Sequence, residues 1–328
     1  MIVFEHVFKE YPAGVVAVDD LCLEVAQGEK LVLLGTSGCG KTTTLKMMNR
    51  LIEPTRGRIL LAGEDIQRQD PIRLRRGIGY AIQEIGLLPH MTVSENVAVV
   101  PKLLKWPRRR TEERVEELLR LVGLDGGEFK DRYPGQLSGG QRQRVGVARA
   151  LAADPPVILM DEPFGALDPI TREQLQNEFI DLLAPLKKTV IFVTHDIHEA
   201  IKVGGRIALL HGGKLQQVDT PANLVEHPAN EFVESFLGRR RFQLSLLTTT
   251  VKSLSTTPDY HGRTAAGEPD ERLNASDSLV DALDVFKRTR RNALPVFERN
   301  TLLGYLTRTE LLNAVTQILG EPEKPRHE

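Results

Sequence analysis

The sequence predicts an α/β fold with a mostly parallel sheet, followed by a small α+β unit near the C-terminal end. Three observations carry this. Leu31–Leu34, Val157–Met160 and Val190–Val193 are short continuous apolar runs, the pattern of strands buried on both faces of a parallel sheet. The first run leads through a Gly-rich turn into a helical pattern from Thr42 to about Leu51, the opening of a strand–turn–helix unit. Far downstream, a helical face of Leu279, Ala282, Leu283 and Phe286 is followed by two apolar runs, Leu294–Phe297 and Leu302–Leu306, around an Asn300-Thr301 turn.

The remaining elements follow in order. Leu21, Leu23 and Val25 alternate with polar residues as a half-buried strand does, and Gln27-Gly28 turns the chain into Leu31. Val115, Leu118, Leu119 and Val122 recur at helical spacing between the first helix and Val157, which predicts a separate helical lobe. Residues 245–270 are rich in Ser, Thr, Pro and Gly without periodicity and read as a linker. Order returns at Leu273, and Leu311, Leu312 and Val315 begin a last helix. The division expected is 1–236, a linker at 237–272, and a tail at 273–328. A tail so short buries little core by itself.

At 328 residues the chain has room for two domains, given ~100–200 residues per domain. A 41% hydrophobic and 27% charged composition excludes collagen-like and wholly disordered classes. With 43 basic and 44 acidic residues the net charge is -1, so no global field recruits nucleic acid. The two cysteines, Cys22 and Cys39, build no disulfide framework. No apolar run approaches the ~18 residues of a membrane span, and the first residues do not resemble a signal peptide. A cytoplasmic protein is expected.

Gly35-Thr36-Ser37-Gly38-Cys39-Gly40-Lys41-Thr42 fits G-x-x-x-x-G-K-[ST] after a strand and before a helix. Its glycines let backbone N–H groups converge on phosphate oxygens, and the helix N-terminus adds partial positive charge. Lys41 is placed to reach the β- and γ-phosphates of a nucleotide and Thr42 to bind Mg²⁺. Cys39 reads as a small filler within the loop. Asp161 and Glu162 end an apolar strand. Asp161 suits a Mg²⁺ role, and Glu162 can point at the water attacking a γ-phosphate.

Leu137-Ser138-Gly139-Gly140-Gln141, followed by Arg142-Gln143-Arg144-Val145, offers a second small-residue helix N-terminus. This segment resembles the signature of ATP-binding-cassette (ABC) ATPases. The resemblance covers residues 1 to about 236 and implies a mostly parallel sheet core, an antiparallel β subdomain and a helical lobe. It also implies an ATPase that works as a homodimer, with ATP and Mg²⁺ as ligands. ATP contacts are implied for Tyr11, which stacks on adenine, and for Gly35, Thr36, Ser37, Gly38, Cys39, Gly40, Lys41, Thr42 and Thr43. From the opposite subunit they are implied for Ser138, Gly139, Gly140 and Gln141, while Gly165-Ala166-Leu167-Asp168 resembles the loop at the nucleotide site that contacts the opposite subunit. Gln83 fits the glutamine loop that links Mg²⁺ or attacking water to the helical lobe, and His195 the switch that holds the γ-phosphate and orients Glu162.

The absence of a fused span, of a second phosphate loop, of a long coiled coil and of cysteine clusters leaves the importer motors among ABC ATPases. Residues 43–54, 80–90 and 101–106 resemble the branch that imports osmoprotectants and quaternary amines, with glycine betaine, choline, carnitine or proline as solutes. Polar amino-acid import is the alternative, and a DNA-associated ATPase the rival of another class. Implied partners are integral-membrane permease subunits and, indirectly, an extracytoplasmic solute-binding protein. Nucleic acid is not expected, and the location implied is the cytoplasmic face of the inner membrane. Lys102, Lys105, Arg108, Arg109 and Arg110 read as a solvated face near the lobe.

The tail resembles one cystathionine-β-synthase (CBS) module at Leu294-Pro295-Val296 and Gly304–Glu310. Glu310 stands where the adenosine-binding version usually has Asp, and Thr307 with Glu310 forms a T-x-x-E capping box. An apolar face of Leu279, Leu283 and Phe286, with strand surface from Leu302 to Leu306, is expected to be exposed and to pair with a second tail. Lys287, Arg288, Arg290 and Arg291 are placed to make that pairing salt-sensitive.

Overall fold

The computed structural model describes residues 1–82, 86–164, 176–178, 180, 187–254 and 271–320. Gln83 and Asp168 lie outside them. The chain forms two compact units, Met1–Thr220 and Pro221–Glu328. The division falls ahead of residue 236.

The first unit contains two sheets. Strands β1 (Ile2–Tyr11), β2 (Val15–Val25), β4 (Arg56–Leu61) and β5 (Glu64–Asp65) form an antiparallel sheet ordered β2-β1-β4-β5. The second sheet is ordered β10-β9-β3-β8-β7-β6, from β3 (Lys30–Gly35), β6 (Ile78–Ala81), β7 (Val157–Asp161), β8 (Thr189–Thr194), β9 (Arg206–His211) and β10 (Lys214–Asp219). All its neighbours are parallel except β9 and β10. Val157–Asp161 and Thr189–Thr194 are buried throughout, as their unbroken apolar runs require. One core joins the two sheets, with Leu21, Leu23, Val25, Leu31, Leu33, Leu159 and Val193 among its members.

Helix α1 (Lys41–Met48) follows β3, and α2 (Pro71–Arg76) precedes β6. The expected extension of α1 to Leu51 does not occur. Arg50 takes a left-handed φ of 48°, and the Leu51 N–H donates to the Lys46 carbonyl at 2.9 Å, which closes the last turn.

The helical lobe comprises α3 (Val93–Val97), α4 (Val99–Leu103), α5 (Arg108–Leu121), α6 (Gly126–Phe129) and α7 (Gly139–Leu151). Thr111, Val115, Leu118 and Leu119 form the buried stripe of α5, the i, i+4, i+7, i+8 pattern of an amphipathic helix. On its outer side Arg108 and Arg109 bind Glu112 and Glu113 one turn along, at 2.7 and 3.1 Å. The Arg110 guanidinium lies 3.7 Å from the Trp106 ring centroid. Much of the basic face is thus locally compensated. Asn96 is fully buried. It accepts from the Leu88 N–H and donates to the Leu88, Met91 and Thr92 carbonyls at 2.8–3.1 Å. Helix α8 (Ile197–Val203) follows β8.

The second unit begins with α9 (Pro221–Glu226), α10 (Glu231–Leu237) and α11 (Arg241–Thr248). Leu246 and Val251 join Leu273, Leu279, Phe286, Leu294, Val296 and Leu306 in one core, so residues 245–254, read from composition as linker, belong to a packed unit. Its sheet is β11 (Leu273–Asn274), β12 (Ala293–Glu298) and β13 (Thr301–Thr307), flanked by α12 (Leu279–Thr289) and α13 (Arg308–Gly320). Glu298 pairs with Thr301, placing the hairpin turn at Arg299-Asn300, both left-handed, rather than at Asn300-Thr301. Leu279 and Phe286 are buried, contrary to the expected exposed face. They pack against β12 and β13 within their own unit, and the exposed leucines are Leu302, Leu303, Leu312 and Leu319.

Replacing Asn96 by Ala removes its side-chain hydrogen bonds to the Leu88 N–H and to three carbonyls, of which Leu88 and Thr92 keep a backbone donor, and is expected to lower stability by about 1–3 kcal/mol. Urea unfolding measures this, and an unchanged midpoint would contradict the role given to Asn96.

Candidate active site

The site forms at the carboxyl ends of three adjacent parallel strands, β3, β8 and β7. The turn after β3 is pinned by its glycines. A Cβ on Gly35 would lie 2.2 Å from the Leu210 carbonyl oxygen, and one on Gly40 2.3 Å from that of Ala17. Gly40, at φ 103°, is the residue before α1. Thr36, Ser37 and Gly38 are exposed and Cys39 is buried, so the loop presents its backbone outward while Cys39 fills the space beneath. Thr43 is half-buried in the first turn of α1.

Lys41 is a buried residue, 5% exposed, and its ammonium is the cation at the base of the loop. It donates to the Gly35 and Thr36 carbonyls, each at 2.9 Å, and makes no ion pair among the described residues. A buried cation held only by neutral acceptors, at a helix N-terminus, fits an anion such as a nucleotide phosphate.

Asp161 ends β7, and its Oδ1 accepts from the Thr42 hydroxyl at 2.9 Å. Burial pushes its carboxyl above the ordinary value, against the opposing effect of the Thr42 hydrogen bond and the nearby Lys46 and Lys41. Tyr80 on β6, half-buried and near Asp161, is pushed up to about 12. Thr42 and Asp161 make a compact all-oxygen pair of the kind that holds a hard divalent cation.

Glu162 leaves the strand in a left-handed backbone at φ 43°, a strained state for a residue with a Cβ. Its N–H donates to the Val193 carbonyl at 3.1 Å. This turn brings its Oε2 to 3.2 Å from Nδ1 of His195. The His195 side chain is 56% exposed and that of Glu162 20%. The pair is therefore open toward the space above the strand ends.

The residues beside His195 are fixed by a buried network that sequence reading missed. The Thr194 hydroxyl accepts from the Asp196 N–H at 3.0 Å and donates to Glu199. Glu199, only 7% exposed, also accepts from the Gln176 amide at 2.7 Å. The available signal was an acidic residue among Ile197, Ala200 and Val203, which α8 buries.

Ser138, Gly139 and Gly140 open α7. The Ser138 hydroxyl accepts from the Gln141 N–H at 3.2 Å, while the Gln141 side chain accepts from the Ser138 N–H at 2.9 Å. This capping box leaves Ser138 exposed with its hydroxyl proton free to donate outward. Tyr11, at the end of β1, is 37% exposed, with the Lys9 ammonium 5.2 Å from its ring centroid.

Fold and site define an ATP-binding cassette, and comparison with known proteins agrees. The ABC transporter family matches residues 18–165, and the CBS domain family residues 270–317. The glycine betaine/carnitine/choline transport ATP-binding protein OpuCA of Bacillus subtilis is 50% identical over 93% of this chain and 78% of its own length. The choline transport ATP-binding protein OpuBA of the same organism is 47% identical over 98% and 84%. The osmoprotectant import ATP-binding protein OsmV of Salmonella typhimurium is 48% identical over 91% and 76%. The structure of the ATP-binding cassette MJ0796, a dimer bound to ADP and Pi, superimposes with a TM-score of 0.60 at 35% identity, covering 67% of this chain and 98% of that one. The chain belongs to the ABC transporter family, as an ATP-binding, ATP-hydrolysing subunit. No helix among the described residues is long and apolar enough to cross a membrane.

The raised Asp161 carboxyl gives a pH prediction. Folding disfavours its ionised form, so the penalty is absent below the ordinary value of 3.8. It is fully present above the raised folded value. Asp161→Asn is expected to raise the melting temperature of the nucleotide-free protein at pH 7, with the gain shrinking as pH falls toward 4. A gain that grows on acidification would contradict the burial argument.

Proposed function

We propose that the chain is the motor subunit of an importer for quaternary-amine osmoprotectants, the solute class for which its relatives are named. The observation that carries the catalytic reading is the convergence of Thr42–Asp161 at 2.9 Å and Glu162–His195 at 3.2 Å on adjacent strand ends. Lys41 and the amides of residues 35–43 bind the phosphates of ATP, and Tyr11 stacks on the adenine. Thr42 and Asp161, with Gln83, hold Mg²⁺, which when bound neutralises charge on the β- and γ-phosphate oxygens. Glu162 takes the proton of the water that attacks the γ-phosphorus as the bond to ADP breaks. His195 contacts the γ-phosphate and aims Glu162.

Ser138, Gly139, Gly140 and Gln141 of a second copy close over the nucleotide, and the loop with Asp168 contacts that copy. The ATPase portion is assigned to the unit Met1–Thr220, and the CBS-like tail to the unit Pro221–Glu328. The helical lobes meet permease subunits, which places the protein at the cytoplasmic face of the membrane. An extracytoplasmic solute-binding protein delivers solute to the far side. Two tails pair through Leu302, Leu303, Leu312 and Leu319 and bias the dimer.

Glu162→Gln keeps side-chain size but removes the carboxylate base, so hydrolysis is expected to fall by about 10²–10⁴-fold while ATP still binds. A host lacking this subunit, complemented with the native chain, is expected to take up labelled glycine betaine, choline or carnitine under osmotic stress, and with Glu162→Gln not to. Native-rate hydrolysis would refute the base assignment. Uptake of labelled polar amino acids instead would refute the solute class.

Leu312→Glu tests the tail. It is expected to weaken dimer affinity several-fold in sedimentation experiments without changing the hydrolysis rate per bound ATP. Unchanged affinity would remove the pairing surface.

A further inference from the structure

The first hairpin carries a group of residues with no part in ATP chemistry. Its pairing is interrupted three times, and the first two interruptions flank Val7. Phe4 faces Leu23 and Val7 faces Leu21, so Glu5 and His6 of β1 stand against the single Cys22 of β2. The next register point joins Lys9 to Val18, leaving Asp19 and Asp20 against Phe8. Around Val7 there is thus one bulge on β1 and one on β2, with a further one on β2 at Ala17, and His6 and Asp20 both take left-handed φ, at 47° and 53°. Leu21 and Leu23 point into the core, so Asp20 and Cys22, two residues apart, emerge on the opposite face.

The bulges bring His6 to both. Its Nδ1 lies 2.8 Å from Asp20 Oδ1 and 3.5 Å from Cys22 Sγ. All three donor atoms fall within 4.8 Å of one another, and all three residues are exposed. Tetrahedral coordination with ordinary Zn–N, Zn–O and Zn–S bonds separates such donors by about 3.3–3.8 Å, a small adjustment from this arrangement. Glu5 is engaged by Arg58, which leaves the fourth position for water.

We propose that His6, Asp20 and Cys22 bind a borderline divalent transition-metal ion, zinc by preference. Imidazole, carboxylate and thiolate together favour zinc over Mg²⁺, which takes all-oxygen sites. Binding displaces the thiol proton of Cys22 and ties the two bulges together, stiffening the hairpin that ends at Tyr11. The competing reading is a His6–Asp20 ion pair beside a bystander thiol.

Cobalt(II) separates them. The full chain, tag-free, reduced and stripped of metal, is titrated with cobalt(II) and followed by absorption. The proposal expects a thiolate-to-cobalt charge-transfer band with visible d–d bands, saturating at one equivalent and bleached by zinc. Cys22→Ser is expected to abolish the charge-transfer band, and His6→Asn and Asp20→Asn to weaken binding at least ~10-fold. Zinc is expected to raise the melting temperature of the native chain and not that of Cys22→Ser. ATP hydrolysis persists in all three variants, which reports an intact fold. No band in the native chain overturns the proposal. A band that survives Cys22→Ser assigns the thiolate to Cys39 and also overturns it.

Discussion

The hydrogen bond from Thr42 to Asp161 joins the start of α1 to the end of β7, elements separated by more than a hundred residues of chain. It sits where burial disfavours the carboxylate charge, and the nearby Lys41 and Lys46 offset part of that penalty. The site cannot assemble unless β3 and β7 flank β8 in register, because Lys30 aligns with Val190 and Val157 with Thr189. That alignment brings the turn after Gly35, the carboxylates after Met160 and the imidazole after Thr194 to one edge. The core beneath holds the alignment, and α7 and the helical lobe are built outward from it.

Two local strains are set against this frame. Gly35 and Gly40 let the phosphate loop pass so close to the Leu210 and Ala17 carbonyls that no side chain fits. Glu162 accepts a left-handed backbone to face His195. Both are stable because their neighbours are over-determined. The loop is closed by backbone packing, and the His195 turn by Thr194, Glu199 and Gln176. Strain of this kind holds side chains in place before a ligand arrives.

Much of this was legible in the sequence because it follows local rules. Leu31–Leu34, Val157–Met160 and Val190–Val193 are apolar without interruption, and strands buried on both faces read that way. The loop at 35–42 needs glycine and lysine at fixed spacing, and the T-x-x-E at Thr307–Glu310 caps α13 as its pattern implies, with both reciprocal bonds formed. What was not legible depends on distant partners. Leu246 is buried in a core with Leu273, Leu279 and Phe286, which come later in the chain, so a Ser/Thr-rich composition hid α11. Glu199 is buried only because α8 turns it inward. The bulges at His6 and Asp20 have no glycine to announce them.

ATP shared between two copies is the central claim, and the ATP-dependence of dimer affinity in Glu162→Gln, with and without Ser138→Arg, tests it most directly. Analytical ultracentrifugation is expected to show ATP strengthening the Glu162→Gln dimer, and no strengthening once Ser138 is replaced, although equilibrium dialysis still finds ATP bound. Equal strengthening in both proteins would contradict a site completed by the Ser138 segment of the second copy.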